Sequence, residues 1–291
     1  MTVVVAVVAA APRVAVESAA NRSSHSLSAS PCREALFYYL CGYMNEKTFN
    51  KWFNVFILGG MALVTCIVTA IKMSNAGGAS LWLLLTAFGS LMGVLATVCS
   101  ANGWIITFLF GFLDVSIYGI SCWMNWKSGG SGLGNALLHF AYFVPMQLVG
   151  FIQWRRRGAK ASSKVKARRL SPAMRWMWLA VTLVATAVMY VVLLRFDRSA
   201  AEGFLRVAVL LDVIPLVCNI IGQLLMSTAY MEQWVFWIAV NITSIGMWLF
   251  SDQSFAPVYI VKYTFYLINS INGLRIWLNL SKEFGNSRII T

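Results

Sequence analysis

The sequence predicts an all-α integral membrane protein of about eight transmembrane helices. One extra N-terminal helix precedes a core of two three-helix units joined by a single helix, a 3+1+3 plan. Three observations carry this. Of 291 residues, 59% are hydrophobic and only 11% charged, whereas a soluble domain has about 25% charged residues with which to meet water. Eight apolar runs approach the roughly 20 residues a helix needs to cross the hydrocarbon. The basic residues gather in one connection between two of those runs.

Residues 1–45 stand apart. Met1–Ala11 (MTVVVAVVAAA) is apolar but too short to span, and it lacks the positive start of a signal peptide. Arg22–Ser30 (RSSHSLSAS) has a composition that favours disorder. Met44 opens MNEKTFNKWF, an ordinary start for a membrane protein. The first 45 residues therefore read as a disordered or mis-assigned leader, and nothing functional is expected of residues 1–43.

A polytopic domain over 46–283 follows, then a tail over 284–291. Its expected spans are Trp52–Met73, Ser80–Cys99, Trp104–Trp126, Leu133–Trp154, Ala173–Arg195, Phe204–Tyr230, Glu232–Ser251 and Ala256–Asn279. Numbered 0 to 7, they place repeat one over about 80–154, a linker helix over 173–195 and repeat two over 204–279.

Orientation comes from charge. Arg155–Arg169 holds eight of the 23 lysines and arginines and no acid. Such a cluster between apolar runs marks a cytoplasmic loop. Span 3 then runs inward, span 4 returns, and both termini fall in the cytoplasm. The net charge of +13 is thus explained without nucleic acid, for which no basic face with stacking aromatics exists.

The two units share residues as well as topology. Span 3 closes with GFIQW (Gly150–Trp154) and span 7 with GLRIW (Gly273–Trp277). GFLDVSIYG (Gly111–Gly119) in span 2 and AVNITSIGM (Ala239–Met247) in span 6 align with Asp114 on Asn241. Two three-helix units of one orientation need an odd number of crossings between them, and span 4 supplies one. This is the parallel-repeat plan of SWEET carriers, whose site lies at the repeat interface near the midplane.

Polar residues inside the spans mark the candidate site. Gln147, Gly150 and Trp154 share one face of span 3. Asp212, Asn219 and Gln223 share a face of span 5, and Trp234, Trp237, Asn241 and Ser244 a face of span 6. Lys262, Tyr266, Asn269 and Asn272 form a stripe on span 7. An unsatisfied polar group in hydrocarbon costs several kcal/mol. Isolated amides are met by helix-to-helix hydrogen bonds of about 0.6 kcal/mol each. Stripes on four helices point instead to a shared cavity lined by Gln147, Asn241, Asn269 and Asn272, beside which Pro145 bends span 3. Trp237, a turn before Asn241, supplies a flat wall suited to an aromatic or cationic ring.

Other residues have plainer readings. Trp52, Trp104, Trp123, Trp126, Trp154, Trp176, Trp178 and Trp277 lie near span ends and fit an interfacial aromatic belt. The six cysteines and two histidines, with no C-x-x-C or H-E-x-x-H pattern, suggest no metal and no disulfide framework. Asp114 and Asp212 are intramembrane carboxylates, candidates for function by position, though a helix-to-helix hydrogen bond is the first reading for both. No cofactor is expected. No nucleophile–base pair suggests an enzyme.

PMQLVGFIQW, QLLMSTAYMEQWVFWIAVNITS (Gln223–Ser244) and NGLRIW (Asn272–Trp277) resemble the PnuC nicotinamide riboside transporters. The resemblance covers roughly Trp52 to Lys282, the optional first helix included. It implies the 3+1+3 fold in a bacterial inner membrane and facilitated diffusion of a small molecule. A cytoplasmic kinase would trap that molecule for NAD synthesis, and the plan leaves room for a homo-oligomer. Similar relatives carry thiamine, riboflavin or deoxynucleosides. A SWEET-type sugar carrier fits the Met-Gln and Glu-x-Trp runs less well. Gln147, Trp234, Trp237, Asn241 and Asn272 match the family's substrate-site motifs. Asn269 and Asp114 complete the candidate set, with Asp114 standing where members often have Asn. Ser227–Thr228 replaces a usual basic pair.

Overall fold

The computed structural model describes residues 46–75, 77–78, 80–129, 132–195, 206–250 and 256–286. The expected leader, Met44 and the last residues of the tail lie outside these. The chain divides into two units, Met1–Trp52 and Phe53–Thr291, and all packing below lies within the second.

Eight helices form among the described residues: α1 (Glu46–Asn75), α2 (Leu81–Ala101), α3 (Thr107–Lys127), α4 (Leu133–Arg156), α5 (Pro172–Leu194), α6 (Val207–Ser227), α7 (Gln233–Leu249) and α8 (Ala256–Asn286). Each coincides with one expected span. Helices α1 to α6 are long and apolar enough to cross a membrane, whereas α7 is apolar but only 17 residues long. The long α8 is more polar, with Lys262 and Arg275 in its body.

Local chemistry explains the helix ends. Ser80 and Ser171 cap α2 and α5, each side chain accepting from the backbone N–H three residues on. That meets one of the donors a helix start leaves unpaired. Pro172 follows Ser171 in the first turn, where its missing N–H costs nothing. In α4, where a bend is expected at Pro145, the helical ladder changes just before the proline. A π turn over His139–Phe143 precedes Val144–Arg156, and the Val144 N–H reaches back five residues to the His139 carbonyl. A single wide turn of this kind absorbs a break in the helical ladder. Pro215 sits inside α6, and Asn219 donates its side-chain N–H to the Pro215 carbonyl at 2.8 Å. That contact turns Asn219 back onto its own helix.

Glycines let α2, α3 and α4 approach closely. Gly89 and Gly93, a G-x-x-x-G pair on α2, lie against Ile117 and Asp114 of α3. Small residues at this spacing are what close helix pairing in membranes requires. Helix α1 packs on α2 and α8 through Ile57, Met61, Val94, Val98, Phe265 and Tyr266. By contrast α5 shows wide apolar surface, with Leu183 and Val184 more than 60% exposed. Such a face suits lipid.

The basic connection is an ordered strap. Ala159, Val165, Ala167 and Leu170 are buried, while the lysines and arginines between them face outward. Val165 N–H donates to the Gly103 carbonyl at 3.0 Å and Arg168 N–H to the Ala229 carbonyl at 2.8 Å. Met231 N–H returns a bond to Arg168 O. Glu232 accepts from Leu170 N–H and pairs with Arg175 at 3.1 Å. Arg169 reaches Ser281 and the Leu278 carbonyl of α8.

Gly103 and Ala229 hold corresponding places, each with positive φ (73° and 62°) in the turn after α2 or α6. The same spacing sets Phe108 on Trp234. Counted on at that spacing, Val115 falls on Asn241, one residue from the expected match of Asp114 with Asn241.

Candidate functional site

Four aromatic rings gather against the strap. Phe108 meets Trp154 edge-on at 4.9 Å, Trp154 meets Trp277 at 5.4 Å, and Trp277 meets Trp234 at 6.3 Å. All four are at most 2% exposed. Phe108 lies over Gly150 and Trp234 over Gly273, where a Cβ would sit within 2.2–2.6 Å of the ring. Trp154 and Trp277 are therefore core residues and not part of the aromatic belt expected from their positions. The strap covers these helix ends, so they do not face an interface. Trp104, Trp126 and Trp176 are exposed, as a belt would require.

In and beside this cluster lie buried polar atoms with no hydrogen-bond partner among the described residues. They are Gln147 Oε1, Asn269 Oδ1, Asn272 Nδ2, Trp234 Nε1, Ser100 Oγ and both ends of the Gln233 amide. More than nine in ten buried polar groups in native proteins are paired. Gln147 is seven residues, about 10 Å, along α4 from Trp154, with its carbonyl oxygen against Gly111 of α3. On α8, Asn272 and Asn269 rise from Gly273 in the same sense.

The other expected residues divide. Asn241 is buried and donates to Ser270 Oγ at 3.1 Å, next to Asn269. Asn269 donates to the Thr97 carbonyl of α2 at 3.4 Å, and Asn272 Oδ1 accepts from Arg275 at 3.0 Å. Trp237 is half-buried, lies across Gly222 of α6 and borders the aromatic cluster. Asp114 rests on Gly93 of α2, one turn from Thr97. Asn219 and Gln223 do not join, since Gln223 bonds Ser227 on its own helix.

Gln233 and Ser100 were not singled out by sequence reasoning. Ser100 ends a span among small residues. Gln233 stands beside Glu232, where the charged neighbour suggests an interface. The only signal was the match of Gln233 with Thr107 at the start of α3, and Thr107 too is fully buried, donating to Ala96 O.

A family model described as nicotinamide mononucleotide transporter matches residues 83–279. The nicotinamide riboside transporter PnuC of Neisseria mucosa is 31% identical over 206 residues, covering 68% of this chain and 73% of the relative. The chain belongs to the PnuC family. PnuC of Haemophilus influenzae is 27% identical and shares 68% of this chain and 81% of its own. PnuC of Escherichia coli is 25% identical over 73% and 92%. Among solved structures, a crystal structure of the vitamin B3 transporter PnuC superposes with a TM-score of 0.56 at 26% identity, covering 88% of this chain and 99% of that one. The all-helical membrane fold expected from the sequence is the PnuC fold. A membrane transporter, not an enzyme, is what this family membership makes the protein.

Proposed function

We propose that this PnuC family member carries nicotinamide riboside across a bacterial inner membrane by facilitated diffusion. The single observation behind this reading is the set of unpaired amide and indole groups on Gln147, Trp234, Asn269 and Asn272, buried beside the aromatic cluster. Carboxamide and ribose hydroxyls are donors and acceptors of the kind these atoms lack, and aromatic walls suit a pyridinium ring. Asn241, bonded to Ser270 next to Asn269, and Trp237, beside the aromatic cluster, adjoin these groups, and Asp114 would supply the negative charge a cationic ring favours.

The reciprocal contacts between α2–α4 and α6–α8 support the two-unit plan with the ligand between the units. The basic strap would face the cytoplasm, and both termini with it. A cytoplasmic kinase would then hold the substrate inside as its phosphate and feed NAD synthesis. Binding of nicotinamide riboside, thiamine, riboflavin and deoxyadenosine to the purified protein, side by side, tests the reading. Nicotinamide riboside should bind tightest, and a clear preference for any of the others would replace it.

A further inference from the structure

Beyond the amide cluster lies a second charged feature. Lys262 stands seven residues from Asn269 on the same face of α8, about 10 Å further from the strap. A cationic side chain inside a membrane bundle needs a specific reason to be there. Its ammonium lies 5.8–5.9 Å from the ring centroids of Tyr259, Tyr263 and Tyr266, three faces that each attract a cation.

Lys262 also borders a cavity of about 70 Å³ walled by α1, α2 and α8. Thr65, Thr69, Thr86 and Ser90 line it, and each hydroxyl already donates to a carbonyl of its own helix. What remains on those oxygens is acceptor capacity, the half of hydrogen bonding that an ammonium needs. Lys72 of α1 faces the same space.

Asp114 of α3 is the carboxylate near this wall. It rests on Gly93, one turn of α2 from Ser90 in the cavity wall. Asp114 and Lys262 lie near enough for their charges to act on each other, as do Asp114 and Tyr266, with no direct ion pair between Asp114 and Lys262. Lys262 therefore balances Asp114 while leaving the carboxylate oxygens open.

We propose that Lys262 is a specificity-determining residue, a built-in cation that competes with a cationic ligand for Asp114 and so sets the preference between charged and neutral substrates. A pyridinium ring near Asp114 meets a carboxylate already half-answered by Lys262. A neutral ring of the same shape leaves the pair undisturbed. The inference rests on the substrate reading above for its choice of ligand, but the charge pair itself does not.

The test compares nicotinamide riboside with its neutral dihydro form, in binding to the full-length protein in nanodiscs. Lys262→Gln should raise the cation-over-neutral preference about tenfold, the scale of a unit charge acting across several ångströms of protein interior. Lys262→Arg should leave it near wild type. Asp114→Asn should lower it by a similar factor, and the double variant should stay near Asp114→Asn, because Lys262 acts through that carboxylate. An unchanged preference in Lys262→Gln, or strictly multiplicative effects in the double variant, overturns the proposal. A ligand-free arm separates the two readings. Unfolding midpoints of wild type, Lys262→Gln, Asp114→Asn and the double variant should be non-additive, and additivity there overturns the pair whatever ligand binds. Failure of both riboside forms to bind wild type, with a non-additive cycle, would sink the substrate assignment and support the charge pair.

Discussion

Trp154 and Trp277 lie 5.4 Å apart, and each donates its indole N–H into the opposite half of the bundle. Trp154 reaches the Met226 carbonyl at the end of α6 at 2.8 Å, and Trp277 reaches the Ser100 carbonyl at the end of α2 at 3.0 Å. Met226 and Ser100 hold corresponding positions three residues before the two positive-φ turns. The exchange ties the halves together where the strap crosses them.

Truncating either ring should therefore act on stability first. Trp154→Ala and Trp277→Ala each remove a fully buried ring, a change that costs about 3–5 kcal/mol in protein cores. Trp→Phe keeps most of the packing and loses one hydrogen bond, to a carbonyl that still accepts a backbone N–H, at about 0.5–1.5 kcal/mol. Thermal unfolding in detergent should rank wild type above Phe above Ala at both positions. A Trp154→Ala protein as stable as wild type would return that residue to the interface.

Gly273 should not tolerate a methyl group. A Cβ there would lie 2.6–2.7 Å from three atoms of the Trp234 ring, and a packed indole cannot yield as a chain end can. Gly273→Ala should cost about 1–3 kcal/mol by overpacking and shift Trp234 fluorescence. Gly134, with nothing within 4 Å, provides the control, and equal behaviour of the two variants would argue against the close contact.

If the proposed site is correct, Trp237→Ala should weaken ligand binding by about 1–3 kcal/mol, as loss of a stacking face does for bases on aromatic platforms. Half-buried Trp237 can lose its ring without opening the core, so its stability should change less than that of Trp234→Ala. Binding isotherms at matched folded-protein levels separate the effects. Undiminished affinity in Trp237→Ala would remove it from the site.

Uniport predicts that substrate equilibrates across liposomes without a pH or sodium gradient and accumulates only with a trapping kinase inside. Concentrative uptake under an imposed pH gradient, lost in Asp114→Asn, would show a coupled carrier instead.

Reporter fusions at the C-terminus and after Gly158 should both read cytoplasm, as the basic strap requires. A periplasmic signal at either would reverse the proposed orientation.

By itself the sequence determined the membrane class, the eight helices and most of their boundaries, because hydrocarbon imposes length and apolarity on every residue of a span. It also marked Gln147, Asn269 and Asn272, since an amide in such a run stands out wherever it points. Tertiary structure decided everything that depends on what covers a residue. Trp154 and Trp104 look alike in sequence, both near a span end, yet the strap buries the first and leaves the second exposed. Asn219 looks like a site residue, but its side chain bonds back to the Pro215 carbonyl one turn earlier on its own helix. Gln233 sits beside a charge and is nonetheless fully buried with both amide ends unpaired. Lys262 and Asp114 lie on separate helices, 148 positions apart in the chain. Only the glycine-mediated approach of α2 to α3, and the packing of α8 on α2, bring their charges within reach of each other.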